Sequence, residues 1–158
     1  MTREPDGLLS ATHALYRGER DRAAALLPPD EELRADEAAL FGRVDRLREL
    51  LEDDSARVDE FSPDGFSPLH LAVFGGHEPA VRLLIERGAD LEAVSTSSIA
   101  QVRPLGTAAN FGRVELARLL LEAGADPDGT APDGTTALDT AVANGNDAFV
   151  ALLREYSG

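Results

Sequence analysis

Residues 68–93 are PLHLAVFGGHEPAVRLLIERGADLEA, and residues 104–129 are PLGTAANFGRVELARLLLEAGADPDG. Each stretch opens Pro-Leu, carries a glycine eight residues after that proline (Gly76, Gly112) and closes Gly-Ala-Asp at 88–90 and 124–126. A third copy, ALDTAVANGNDAFVALLREY at 137–156, has Gly145 at the same offset. A weaker one, AALFGRVDRLRELLEDDSARVDE at 38–60, aligns Gly42 with Gly76. Further upstream, ATHALYRGERDRAAALL at 11–27 keeps the rhythm of short helix, Gly18 and second helix. Gly112 and Gly145 lie 33 residues apart and Gly76 and Gly112 lie 36 apart, so three extra residues fall in AVSTSSIAQVR, 93–103. Repetition at this period constrains the fold more than any other feature. A unit this short cannot bury its own apolar face, so the copies must stack.

Each unit is legible residue by residue. Pro63-Asp64-Gly65 and Pro132-Asp133-Gly134 are turn sequences, with proline pre-setting φ and glycine accepting positive φ. Ser67 before Pro68 is an N-cap followed by proline at the first helical position, and Thr136 caps the last copy without the proline. The spacing predicts a first helix over 68–75, small-sided through Leu69, Leu71 and Ala72, and stopped by Gly76. A second helix is predicted over about 78–87. It has an apolar face of Ala80, Val81, Leu83, Leu84 and Ile85, and Glu78, Arg82, Glu86 and Arg87 face outward. Gly88 ends it.

The 33-residue period and the SPLHLA motif resemble the ankyrin repeat, well over 30–158 and loosely over 8–28. The match is fullest in the copy containing His70. The next copy has Gly106 in place of that histidine, the last has Asp139, and the first has Asp36 with no Pro-Leu. The resemblance implies a mainly α solenoid of helix-turn-helix units joined by short β-hairpin loops, here at 59–67 and 126–136. The expected organisation is one domain, 1–158: a degenerate helical pair at 8–29, then repeats at 30–61, 62–97 with the insertion at its end, 98–130, and a capping repeat at 131–158. It also implies structural roles for His70, bonded in the turn with Ser67 as local partner and to the neighbouring repeat, and for His77.

In such proteins partners are gripped by the hairpin fingers and the exposed, concave face of the first helices. Carried over by alignment, the expected partner-binding residues are Phe41, Asp64, Phe66, Phe74, Gln101, Arg103, Asn110, Phe111, Asp133, Thr135 and Asn144. Four of the six phenylalanines (41, 66, 74, 111) fall on this face, and aromatic side chains are favoured interface anchors. The serine-rich stretch 94–98 reads equally as a specificity loop or a slack linker.

Composition narrows the chemistry. The chain of 158 residues has no cysteine and no lysine; all 15 basic residues are arginine. Thiolate metal sites, disulfides, cysteine nucleophiles and Schiff-base chemistry are therefore excluded. His70, His77 and Glu78 lack the further ligands a zinc site needs, and His13 belongs to another unit. The pairs Glu31-Glu32, Asp53-Asp54 and Asp59-Glu60 read as solvated surface rather than a catalytic dyad. No P-loop, dinucleotide or nucleophile-elbow motif occurs. The expectation is no enzyme, no cofactor and no metal.

The net charge of −14 argues against direct nucleic-acid binding. It is unevenly spread: −7 over 30–60, −1 over 61–121 and −6 over 122–158. The expected function is a cytoplasmic protein–protein interaction module, with neither nucleic acid nor membrane as partner. The alternative is an acidic, antitoxin-like inhibitor masking the basic surface of a nucleic-acid-binding protein. The chain is expected to be a monomer with weak self-association or fraying at the C-terminal helix, where Ala148 to Leu153 are successive apolar residues.

Overall fold

The computed structural model describes residues 14–157 apart from Tyr16 and Ile99. His13 and the first part of the 8–29 pair lie outside these residues. The chain divides into two compact units at Arg34–Ala35. In the first, α1 (Arg20–Ala25) is followed by a 3-10 turn, Asp30–Glu32. Arg17, Arg20, Asp21 and Arg22 are exposed, and the Glu19 carboxylate pairs with Arg17 at 3.3 Å and Arg22 at 3.1 Å. Such surface pairs contribute little stability; they keep this helix face polar.

The second unit holds four helical pairs: α2 (Ala35–Leu40) and α3 (Val44–Asp53), α4 (Pro68–Gly75) and α5 (Glu78–Glu86), α6 (Pro104–Asn110) and α7 (Val114–Glu122), α8 (Ala137–Ala143) and α9 (Asp147–Tyr156). The first helices pack in one row, α2 on α4 on α6 on α8. The second helices pack in another, α3 on α5 on α7 on α9. Ala38, Ala72, Ala108 and Ala141, in register through the first row, are each 0% exposed. Leu84, Leu120 and Leu153, in register over the last three pairs of the second row, are at most 1% exposed.

Ser67 caps α4 as anticipated, and its partner is the histidine itself. The Ser67 side chain accepts from the His70 N–H, and the His70 ring closes a capping box on the Ser67 backbone. His70 Nδ1 lies 2.7 Å from Ser67 Oγ and Nε2 lies 2.8 Å from the Val102 carbonyl of the next repeat. A carbonyl can only accept, so Nε2 carries the proton. In the last repeat Asp139 takes the histidine's place in the box with Thr136. Gly76 ends α4 at φ 77°, and an added Cβ there would meet the Arg113 guanidinium at 3.0 Å. His77 packs against the corresponding Gly42, whose added Cβ would lie 2.5 Å from its Nδ1. Both histidines hold the scaffold together.

The segments between repeats differ from the expected hairpins. Among the described residues the single β-bridge is Thr130–Thr136, and residues 55–59 form a 3-10 turn. Each finger is a tight loop closed by Ser62 N–H to Phe66 O (2.8 Å) or Ala131 N–H to Thr135 O (2.8 Å), too short to add a ladder. The described residues of the inserted stretch, Ile99 excepted, make specific backbone and side-chain bonds. Ser95 N–H donates to Val102 O at 2.9 Å, Thr96 N–H to Gly65 O at 2.8 Å, and Ser95 Oγ to Ala100 O at 2.8 Å. At the C-terminal end α9 turns Phe149, Leu152 and Leu153 inward and leaves Ala148 and Ala151 outside.

Two outcomes follow. Leu84→Ala empties a fully buried site between α3 and α7 and should cost about 2–5 kcal/mol in urea melts. Burial pushes the His70 pKa below its ordinary 6.5, although the Val102 carbonyl favours the charged ring. The unfolded chain therefore takes the proton first. This contribution is complete above pH 6.5 and is lost as the pH falls through the lower folded value. Wild-type stability should fall between pH 7.5 and 5.5 by more than that of His70→Gln. Parallel slopes for the two chains over that window would contradict this.

Candidate functional site

Between the fingers of the third and fourth repeats lies an open groove of about 520 Å³. Its floor is the exposed side of α6 and α8, with Leu105, Gly106, Asn110, Ala137 and Thr140. One wall is the inserted finger, including Ser97, Ser98, Gln101 and Arg103. The other is the last finger, including Asp126, Gly129, Asp133 and Thr135.

Five of the eleven expected partner-binding residues meet here: Gln101, Arg103, Asn110, Asp133 and Thr135. Gln101, Asn110, Asp133 and Thr135 are exposed. Arg103 is half-buried and already engaged. Its Nη1 meets Glu92 Oε2 at 2.6 Å, and its Nε donates to the Thr130 carbonyl at 2.9 Å. Glu92 Oε1 also accepts the Asp126 N–H at 2.7 Å. Arg103 and Glu92 thus tie the third finger to the fourth, and the arginine is a wall of the groove more than a free hand in it. Asp133 Oδ1 accepts the Thr135 N–H at 2.9 Å. That bond and the Thr135 hydroxyl hold the fully exposed Asp133 carboxyl below the usual carboxylate range, so it is anionic.

A second group lies outside the groove, spread over all four repeats. Phe74 and Phe111 make an edge-to-face pair with centroids 4.7 Å apart. Phe111 remains 51% exposed, whereas Phe74 and Phe41 are half-buried. Phe66 is half-buried, its ring 6.1 Å from that of His70. Asp64 is exposed at the finger turn, and Asn144 is exposed with its amide 3.4 Å from the Ala109 carbonyl. Phe41, Asp64, Phe66, Phe74, Phe111 and Asn144 are not brought into the groove.

Glu92, Ser97 and Thr140 were not singled out from sequence. A signal for Glu92 was present. Asp59, Glu92 and Asp128 recur at one repeat position, and Asp59 Oδ1 accepts the Asp90 N–H at 2.8 Å as Glu92 accepts that of Asp126. Among the described residues no three His, Asp or Glu side chains come together as metal ligands, and no helix is long and apolar enough to cross a membrane.

Comparison with known proteins agrees with this architecture. The ankyrin repeat family pattern matches residues 64–96, and a pattern for ankyrin repeats in many copies matches 106–154. The transient receptor potential cation channel subfamily A member 1 homolog of Caenorhabditis elegans is 35% identical over 121 residues, covering 77% of this chain and 10% of that protein. Ankyrin repeat and SAM domain-containing protein 6 of Mus musculus is 35% identical over 136 residues, covering 80% and 15%. Protein phosphatase 1 regulatory subunit 27 of Mus musculus is 30% identical over 93 residues, covering 59% and 58%. The chain thus spans a small part of the first two relatives and just over half of the third. With the repeated helical pairs, the stacked rows and both family patterns in agreement, this chain belongs to the ankyrin repeat family.

Proposed function

We propose that this chain is a non-enzymatic, cytoplasmic protein-binding module that holds a protein partner across the fingers and first helices of its second unit. The observation that carries this reading is the groove of about 520 Å³ between two fingers, lying in the same stack as the half-exposed Phe111. A stacked repeat offers extended surface of this kind. One relative is by its name a regulatory subunit of a phosphatase, which suits a role exerted by binding.

The hydroxyls near the groove favour binding over catalysis. Thr136 Oγ1 accepts the Asp139 N–H as a helix cap, and Thr140 Oγ1 lies 3.4 Å from the Thr136 carbonyl. Repeats at 30–61, 62–97, 98–130 and 131–158, after a degenerate pair at 8–29, are the units of this reading. A monomer is the working state. The exposed Val142 and the C-terminal helix offer only a weak self-contact.

Phe111→Ala separates scaffold from site. It removes one edge-to-face pair from a half-exposed position and should cost about 1 kcal/mol of stability, well short of Leu84→Ala. Affinity for a partner captured with the tagged full chain should fall by about 2 kcal/mol if Phe111 is a central anchor. Urea melts and calorimetric titration read the two effects. Destabilisation equal to that of Leu84→Ala would make Phe111 core and remove it from the site.

A further inference from the structure

The groove lies where one side chain is missing. In the second repeat His70 fills the space between α4 and the next finger and reaches the Val102 carbonyl at 2.8 Å. The corresponding residue of the third repeat is Gly106, and the position corresponding to Val102 is Thr135; both line the groove. Backbone geometry does not demand this glycine. Gly106 is not among the glycines with positive φ, and an added Cβ would make ordinary contact with Val102 at 3.5 Å. It sits inside a helix, where glycine costs about 1 kcal/mol against alanine. The space is therefore kept open at some expense in stability.

The groove also has a sign. Asp126 and Asp133 stand in its wall, and the cation beside them, Arg103, is already paired with Glu92 at 2.6 Å. The finger that carries both aspartates belongs to the segment 122–158, of net charge −6. Gln101 and Asn110 add exposed amides able to pair with a passing backbone.

We propose that the Gly106 groove takes an extended segment of a partner protein, with an arginine or lysine of that segment set against Asp126 and Asp133. This rests on the reading that the finger face binds a partner and names what it binds. The space left by the absent histidine accommodates the segment, and the unbalanced carboxylates select its charge.

The test is a displayed library of random linear dodecapeptides panned against the full chain near physiological salt, followed by anisotropy titration of resynthesised peptides. Enriched peptides should carry Arg or Lys, and their affinity should fall as salt rises. Asp126→Asn with Asp133→Asn should weaken them roughly three- to tenfold, the range for one or two exposed ion pairs. Asparagine keeps the oxygen that accepts the Asp128 and Thr135 N–H groups, so both turns should survive. If the double variant melts early, Asp133→Asn alone carries the comparison. Gly106→His should abolish binding while leaving the urea midpoint unchanged or higher.

Enriched peptides without basic residues that respond to Gln101→Ala or Phe111→Ala would overturn the charge assignment and leave the finger face as the binding site. Basic peptides indifferent to both the aspartate and the Gly106 variants would overturn the proposal, as would a library that yields no enriched peptide. In that last case the Phe111→Ala titration with a captured protein still judges the finger face separately.

Discussion

The second unit depends on burial that no single repeat can achieve. Its first helices approach one another through alanines that are completely covered in all four repeats, Ala38, Ala72, Ala108 and Ala141. A small side chain there lets two helices come close, and the larger residues behind them, Leu84, Leu120 and Leu153, close the second row. The main contacts between repeats run between neighbours, so much of the apolar surface of α4 and α5 is buried by α2, α3, α6 and α7. The end of the row shows what stacking accomplishes. Val142 is 60% exposed, while its counterparts Val73 and Ala109, covered by a following repeat, are 0% and 1% exposed.

Non-directional burial would let repeats slide, and a small set of directed bonds prevents it. His70 donates to the Val102 carbonyl, Asp59 accepts the Asp90 N–H, and Glu92 accepts the Asp126 N–H. Each joins one repeat to the backbone of the next. Arg103 extends the same logic to the fingers, holding Glu92 and the Thr130 carbonyl together. In the proposed binding role, a groove whose walls are already tied together would lower the ordering cost of binding.

The regular parts of this structure were legible in the sequence because local chemistry and periodicity agree there. Pro68–Gly75 and Glu78–Glu86 fall within one residue of the helices inferred from the cap, the prolines and the stopping glycines. The fingers were legible as turns and less so as hairpins, since a loop closed by one bond or bridge leaves no room for strands. The inserted stretch was opaque because its order comes from remote partners. The Gly65 carbonyl accepts from Thr96, and an added Cβ at Gly65 would meet Ser97 N at 2.5 Å. Repeat register brought Gln101, Asn110, Asp133 and Thr135 onto one face, but it could not show that Arg103 is held by Glu92. That pairing depends on how two fingers lie in space.

The third repeat departs from the pattern at both members of its cap. The second keeps Ser67 with His70 and the fourth keeps Thr136 with Asp139, each as a complete capping box. The third has Arg103 and Gly106, and α6 begins with no side-chain cap. A lost cap costs about 1 kcal/mol and a helical glycine about as much again. A terminal repeat would bear that poorly, but α6 is packed between α4 and α8. Stacking on both sides supplies the stability that the local sequence gives up. Both substitutions also act on the groove: Arg103 fixes its two walls, and Gly106 leaves its floor open. Local rules broken together, in an internal repeat stacked on both sides, fit the proposal that this groove is shaped for binding rather than for folding.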